Sequence, residues 1–161
     1  MPAKSSSRSA PFQRFLFLMC NLLAFGLPTN VYAQEADTIV VFDGSGSMWG
    51  QIEGRTKIEI ARETLSSVLR EIEPSSRIGM IAYGHRQKGA CSDIETVVPV
   101  EQASRSVPQM ISVANGLQPK GKTPLSDAVR IAANELRFTE NAATVILVTD
   151  GIETCDADPC A

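Results

Sequence analysis

Two apolar runs, each closed by an aspartate, constrain the fold of this chain more than any other feature. The first covers residues 38–42 and ends at Asp43. The second covers residues 143–149 and ends at Asp150. Continuous apolar runs of this length are typical of strands buried on both faces of a parallel sheet. Because open α/β sheets bind ligands at the carboxyl ends of such strands, both aspartates are predicted to lie at a ligand-binding edge.

Three hydroxyl side chains join the two aspartates as oxygen ligands. Asp43 opens the segment Asp-Gly-Ser-Gly-Ser, which adds Ser45 and Ser47, and Thr123 occurs in Gly-Lys-Thr-Pro. The two glycines of the first segment permit turns that aim alternate side chains at one point. Oxygen ligands without His or Cys suit Mg²⁺ or Mn²⁺, which prefer octahedral coordination at about 2.1 Å. The predicted metal ligands are Asp43, Ser45, Ser47, Thr123 and Asp150.

With these residues the chain resembles the von Willebrand factor A family, whose metal-ion-dependent adhesion site is written Asp-x-Ser-x-Ser, then Thr, then Asp. All five predicted ligands match, and the resemblance runs from about Thr38 to the end of the chain. It implies a Rossmann-like, open, mostly parallel α/β sheet with helices on both faces. It also implies that the hydroxyls bind the ion at least in part directly, that the aspartates act directly or through water, and that one coordination position stays open.

Domains of this family continue beyond the second aspartate with further helices and two more strands. The present sequence ends soon after Asp150, at Ala161. The resemblance therefore implies a domain, residues 34–161, that lacks its last strands and helices. The strand before Asp150 would then expose an unpaired edge, so that the chain is a fragment or another chain completes the sheet.

The open position on such an ion suggests a function. An ion held largely by neutral hydroxyls keeps much of its positive charge and attracts an acidic side chain. We expect an exported, divalent-metal-dependent protein-binding module for adhesion or scaffolding, not an enzyme, in which a partner's Asp or Glu completes the coordination of Mg²⁺ or Mn²⁺. The alternatives are a metal-assisted hydrolase, a nucleotide-binding protein and a nonfunctional fragment of a longer protein.

The nucleotide alternative depends on residues 116–123, which match the phosphate-loop pattern Gly-x-x-x-x-Gly-Lys-Thr. A phosphate loop follows a buried strand and runs directly into a helix. Here a helical pattern precedes the segment, and Pro119 and Pro124 interrupt it. Thr123 is therefore assigned to the metal site. No general base with a positioned partner is evident for a hydrolase.

The first 33 residues are predicted to be a cleaved secretory signal. Three basic residues precede an apolar stretch at 15–27 and a Val-Tyr-Ala sequence at 31–33. An apolar core of about 13 residues is shorter than the roughly 20 that span a bilayer. An uncleaved anchor and a lipoprotein modified at Cys20 are less favoured alternatives. We therefore expect a periplasmic or extracellular envelope protein without a transmembrane span.

The charge of residues 34–161 bears on their binding partners, and their cysteines bear on disulfide formation. Removal of residues 1–33 leaves 12 basic and 18 acidic residues, a net charge of about minus six, so nucleic acid is not expected to bind. Cys91, Cys155 and Cys160 remain as candidates for a disulfide, whose pairing the sequence leaves open.

Trp49 and His85, the single Trp and His, are predicted at the rim of the metal site, although Trp49 could instead pack against the first helix.

Periodicity predicts the remaining elements of the α/β order. Helices are predicted over 56–73 and 107–117, and another after Thr123. Strands are predicted over 38–42, 77–83, 94–100 and 143–149. Pro99 favours an edge position for the third strand, and the family resemblance makes that strand antiparallel.

Overall fold

The computed structural model describes residues 36–157. The predicted export signal at 1–33 and Cys160 lie outside them. The described elements, in chain order, are β1 (Asp37–Asp43), a 3-10 turn (Gly46–Trp49), β2 (Gln51–Ile52), β3 (Arg55–Thr56), α1 (Lys57–Arg70), β4 (Arg77–Tyr83), β5 (Ile94–Gln102), α2 (Ala103–Gly116), α3 (Leu125–Glu135) and β6 (Ala143–Val148).

Four strands form the main sheet in the order β5-β4-β1-β6. Both β4 and β6 pair with β1 in parallel, whereas β5 pairs antiparallel with β4 at the edge. The predicted open, mostly parallel α/β sheet is confirmed, including its antiparallel edge strand.

Helices cover both faces of this sheet. On one face α1 and α2 pack against a core that includes Val40 and Phe42. On the other face α3 packs against Ile39 and Val41. Successive side chains of a strand point to opposite faces, so β1 contributes alternately to two apolar cores. All four of these side chains are at most 1% exposed, which agrees with the unbroken apolar sequence of β1.

Strand register brings the loops of the site to one edge. Asp43 lies opposite Tyr83 of β4, and Phe42 lies opposite Val148 of β6. Because these three strands are parallel, the segments that leave them emerge at the same end of the sheet. β6 forms the other edge of the described sheet, and its Ile146 and Leu147 are each 39% exposed. None of the helices within residues 36–157 is long and apolar enough to cross a membrane.

Two helix boundaries differ from the prediction. α1 ends at Arg70 rather than at 73, yet Ile72 still packs against the apolar core from the following turn. The apolar period therefore continues past the end of the helix. α2 begins at Ala103 rather than at 107, because the N–H of Ala103 donates to the carbonyl of Ser76 in a distant turn. The start of α2 is thus coupled to a tertiary contact that no local pattern indicates.

The segment 46–56 contains two elements that the sequence patterns did not predict, the 3-10 turn and the β2–β3 hairpin. Glu53 and Gly54 have φ values of 51° and 82°, which is the conformation of a two-residue type I′ turn. The hairpin delivers Thr56 to the N-cap of α1, where Thr56 and Glu59 form a capping box. This geometry fixes where α1 begins.

A buried carboxylate shapes the loop between β4 and β5. Asp93 is 1% exposed and accepts hydrogen bonds from the backbone N–H groups of Arg86 and Gln87 at 2.7 and 2.8 Å. The Arg86 guanidinium donates to its other oxygen at 2.7 Å. Burial alone would raise the pKa of Asp93, but these hydrogen bonds outweigh it and hold the pKa below its usual value.

We expect Asp93→Asn to lower the free energy of unfolding at pH 7 by about 1–3 kcal/mol, because the amide loses charge-assisted hydrogen bonds. The depressed pKa of Asp93 means that its contribution is present above the unfolded-state pKa of about 4 and is lost as pH falls through the folded-state value. Urea denaturation at several pH values should show the two proteins converging below about pH 4. Asp127→Asn, at an exposed ion pair with Arg130, is the control, and an equal loss there would refute the assignment.

Candidate metal centre

Asp43 is the last residue of β1 and is fully buried. Its Oδ1 accepts a hydrogen bond from the backbone N–H of Ser45 at 2.7 Å, and its Oδ2 accepts one from Thr149 Oγ1 at 2.7 Å. The hydroxyl of Tyr83 donates to Thr149 Oγ1 at 3.2 Å. Burial, and then the charge of Asp43, raises the pKa of Tyr83. The carboxylate is thus fixed between its own loop and the segment after β6.

Ser45 and Ser47 present their hydroxyls together. Their Oγ atoms are 2.9 Å apart, and Ser47 Oγ donates to Asp150 Oδ1 at 2.8 Å. The 3-10 turn that begins at Gly46 bends the chain between the two serines. Gly44 permits close packing behind them, because a Cβ at this position would lie 2.7 Å from the carbonyl oxygen of Tyr83. The loop after β1 is therefore linked to the loop after β6.

Thr123 reaches the same edge from the segment between α2 and α3, and it is 3% exposed. Its N–H donates to Thr154 Oγ1 at 2.8 Å, and its carbonyl accepts from the Thr154 N–H at 3.1 Å. Nearby, Glu153 Oε2 accepts from the N–H of Ser126 at 2.9 Å. The segment that follows Asp150 holds Thr123 in place through these bonds.

Three of the predicted ligand oxygens lie close to one point beside Gly151. A Cβ built on Gly151 would lie 3.6 Å from Ser47 Oγ, 3.8 Å from Thr123 Oγ1 and 3.9 Å from Asp43 Oδ2. These atoms belong to three separate segments, and hydrogen bonds connect the Ser47 hydroxyl to Ser45 and Asp150. Within residues 36–157 no three His, Cys, Asp or Glu side chains gather to hold a metal. The hydroxyl and carboxylate oxygens of this set are of the kind that a hard cation such as Mg²⁺ or Mn²⁺ would prefer.

Two side chains of the site were missed by the sequence patterns. Thr149 donates a hydrogen bond to Asp43. Its position directly before Asp150 in the sequence was the signal that could have identified it. Lys57, the first residue of α1, reaches Asp150 with Nζ 2.5 Å from Oδ2. The two residues are 93 positions apart, and no local pattern indicates their contact.

Trp49 and His85, both predicted at the rim, occupy different environments. Trp49 is 49% exposed, and its Nε1 donates to the carbonyl of Pro119 at 2.9 Å. The His85 side chain is only 9% exposed, with Nε2 at 3.1 Å from Glu95 Oε2. A Cβ on Gly44 would lie 2.8 Å from His85 Cβ, so His85 packs behind the Asp43 loop. Trp49 is therefore exposed at the end of the turn that carries Ser47, whereas the His85 side chain is largely buried behind the Asp43 loop, and the rim position of both stays a prediction.

The segment 116–123 does not have the geometry of a phosphate loop. It follows α2 rather than a strand, and Pro124 separates it from α3. The backbone N–H groups of Lys120 and Gly121 donate to the carbonyl of Gly84, and that of Thr123 donates to Thr154. N–H groups that a phosphate would require are therefore bound within the protein.

Cys91 and Cys155 form a disulfide, with their Cα atoms 5.7 Å apart. It joins the loop after β4 to the segment after β6. Cys160, the third candidate, lies outside the described residues. Because Cys155 directly follows Thr154, the partner of Thr123, the crosslink anchors a segment that supports the site.

The sheet and the oxygen-rich edge define an α/β domain with a candidate divalent-metal centre. A family model described as the von Willebrand factor type A domain matches residues 38–153, and the chain belongs to this family. The uncharacterized protein YwmD of Bacillus subtilis (strain 168) is 30% identical over 145 residues, an alignment that covers 83% of this chain and 64% of YwmD. The chain thus spans less than two thirds of that relative's length.

Solved structures share this fold at lower identity. The pilus adhesin SpaC from Lactobacillus rhamnosus GG matches with a TM-score of 0.59 and 22% identity, over 76% of this chain and 16% of SpaC. The vWF domain of the type V pili tip protein Mfa5 from Porphyromonas gingivalis has a TM-score of 0.57 and 17% identity, over 73% of this chain and 38% of that one. These similarities concern the fold.

Replacing Cys91 and Cys155 together by Ser should lower the free energy of unfolding by roughly 4 kcal/mol, because the crosslink closes a long loop in the unfolded chain. Urea denaturation under oxidising conditions measures this change. Cys160→Ser, which leaves the crosslink intact, is the control. Equal stability of the double variant and the wild type would argue against the disulfide.

Proposed function

We propose that this chain is an exported, divalent-metal-dependent protein-binding module. Mg²⁺ or Mn²⁺ would be held by oxygen atoms of Asp43, Ser45, Ser47, Thr123 and Asp150, and it would offer one coordination position to an Asp or Glu carboxylate of a partner protein. The observation that carries the proposal is the convergence of three of these oxygen atoms beside Gly151.

The surface around the site supports a protein as the partner. An open depression of about 460 Å³ has Ser47, Thr123 and Asp150 in its lining, together with Ile152. Ile152 is 87% exposed and Trp49 is 49% exposed. Exposed large apolar side chains beside a polar centre are typical of protein-binding surfaces, where aromatic residues act as anchors.

Three observations support an envelope setting. The first 33 residues have the pattern of a secretory signal. The Cys91–Cys155 disulfide suits an oxidising compartment. Two structures of similar fold are described as a pilus adhesin and a pilus tip protein. We infer a role in adhesion or scaffolding in the periplasm or outside the cell.

Binding without turnover accounts for the site better than catalysis. The five proposed ligand positions account for the hydroxyl and carboxylate side chains beside Gly151, and the His85 side chain is largely buried with Nε2 engaged by Glu95. A metal-assisted hydrolase is the second candidate function, since a bound ion could activate water. Phosphatase or nucleotidase activity that is lost in Asp43→Ala would establish the hydrolase instead.

Saturating Mg²⁺ should raise the Tm of the wild-type chain, because an ion at 100 times its Kd stabilises the folded state by about 2.7 kcal/mol. Ser47→Ala should reduce the shift and Asp43→Ala should abolish it, since each removes a ligand oxygen. Thermal unfolding with Mg²⁺ and with EDTA measures the effect.

Ser67→Ala, on the exposed surface of α1, is the control and should keep the full shift. Asp43 is buried, so Asp43→Ala could fail to fold, whereas Ser47 is exposed. Ser47→Ala therefore tests the metal site independently of any folding defect in Asp43→Ala. An Mg²⁺-dependent shift of wild-type size in both site variants, or none in the wild type, would refute the metal site.

A further inference from the structure

Lys57 brings a positive charge to the candidate metal centre. Its Nζ lies 2.5 Å from Asp150 Oδ2, while Asp150 Oδ1 accepts from Ser47. The two charged side chains are only 30% and 11% exposed, so solvent and salt screen them less than a surface pair. The backbone N–H of Lys57 donates to the carbonyl of Gly50 at 2.8 Å, which fixes the start of α1 to the loop that carries Ser47.

The helix itself does not favour a lysine at this position. The first turn of a helix carries a partial positive charge and stabilises acidic rather than basic side chains. Gly50 packs closely on the lysine, because a Cβ there would lie 3.2 Å from Lys57 Cε. The contact with Asp150 therefore offsets an unfavourable location, and tertiary structure holds the ammonium group beside the site.

The ammonium group of Lys57 changes the net charge of the candidate metal centre. Asp43 and Asp150 together carry two negative charges, which a divalent ion balances. Among Asp43 and the charged side chains that line the depression, Lys57 then leaves an excess of one positive charge. Lys122, an exposed residue of the same lining, adds to it more weakly, whereas Glu153 lies outside the lining and bonds to the Ser126 N–H. One carboxylate from a ligand cancels the excess of Lys57.

We propose that Lys57 couples the metal ion to an acidic ligand. It weakens binding of the ion alone by repulsion and favours the complex in which a carboxylate is also present. By linkage, the ion and the carboxylate must strengthen each other's binding by the same factor. This inference rests on the proposed function and adds the residue that makes the ion and the ligand bind cooperatively.

Calorimetric titration of Mn²⁺ into the full chain tests the first half of the coupling. Lys57→Met should bind Mn²⁺ about tenfold more tightly than the wild type, because a nearby positive charge is removed. Lys57→Arg keeps the charge and should stay within about threefold of the wild type. Arg70→Met removes a charge at the other end of α1, about 20 Å away, and should change nothing.

Sodium acetate as the carboxylate probe tests the second half. Replacing chloride by acetate at constant ionic strength, with correction for the binding of acetate to free Mn²⁺, should tighten Mn²⁺ binding in the wild type. The increase in Mn²⁺ affinity that acetate causes should be smaller in Lys57→Met than in the wild type by about threefold or more.

The outcomes separate this inference from the proposed function. A wild type that does not bind Mn²⁺ overturns the metal-dependent function and the coupling with it. A wild type that binds Mn²⁺, with Lys57→Met equal or weaker, overturns the coupling alone and leaves Lys57 only as a support for Asp150. Equal tightening in Arg70→Met would show a general charge effect, and equal gains from acetate in the wild type and Lys57→Met would remove the link to the carboxylate.

Discussion

The burial of β1 between two parallel strands is the constraint on which the rest of the site depends. Its apolar side chains fill cores on both faces of the sheet, so β1 cannot shift by one residue without exchanging those faces. Asp43 is therefore fixed at the carboxyl end of the sheet, beside the end of β6. A carboxylate and the segment containing Asp150 meet there because the packing of the core opposes a one-residue shift of β1.

Hydrogen bonds then connect the loops around this fixed point. Thr149 ties the segment after β6 to Asp43, and Thr154 ties the same segment to Thr123. The disulfide between Cys91 and Cys155 anchors it to the loop after β4. Contacts of this kind would hold the candidate ligand side chains in a defined geometry and would reduce the cost of ordering them on binding of an ion. The site is thus formed by several segments of the chain, which hydrogen bonds and the disulfide connect to one another.

The sequence predicted those features that depend on local patterns. Apolar runs located β1 and β6, and the spacing of oxygen side chains identified candidate ligands that the structure brings to one edge of the sheet. Features that depend on distant contacts could not be predicted. Ile72 belongs to the apolar period of α1 but packs from a turn, and the start of α2 depends on a hydrogen bond to Ser76. The contact between Lys57 and Asp150 and the pairing of Cys91 with Cys155 likewise arise only when the chain has folded.

The most direct measurement of metal-dependent binding is a crystal structure of the protein grown with saturating Mn²⁺, with anomalous diffraction used to locate the ion. We expect one strong anomalous peak at the carboxyl edge of the sheet, bounded by Ser47 Oγ, Thr123 Oγ1 and the carboxylates of Asp43 and Asp150. Crystals that contain ordered side chains at this edge but no anomalous peak there, or a peak only at another surface, would contradict the assignment of a metal-dependent binding site.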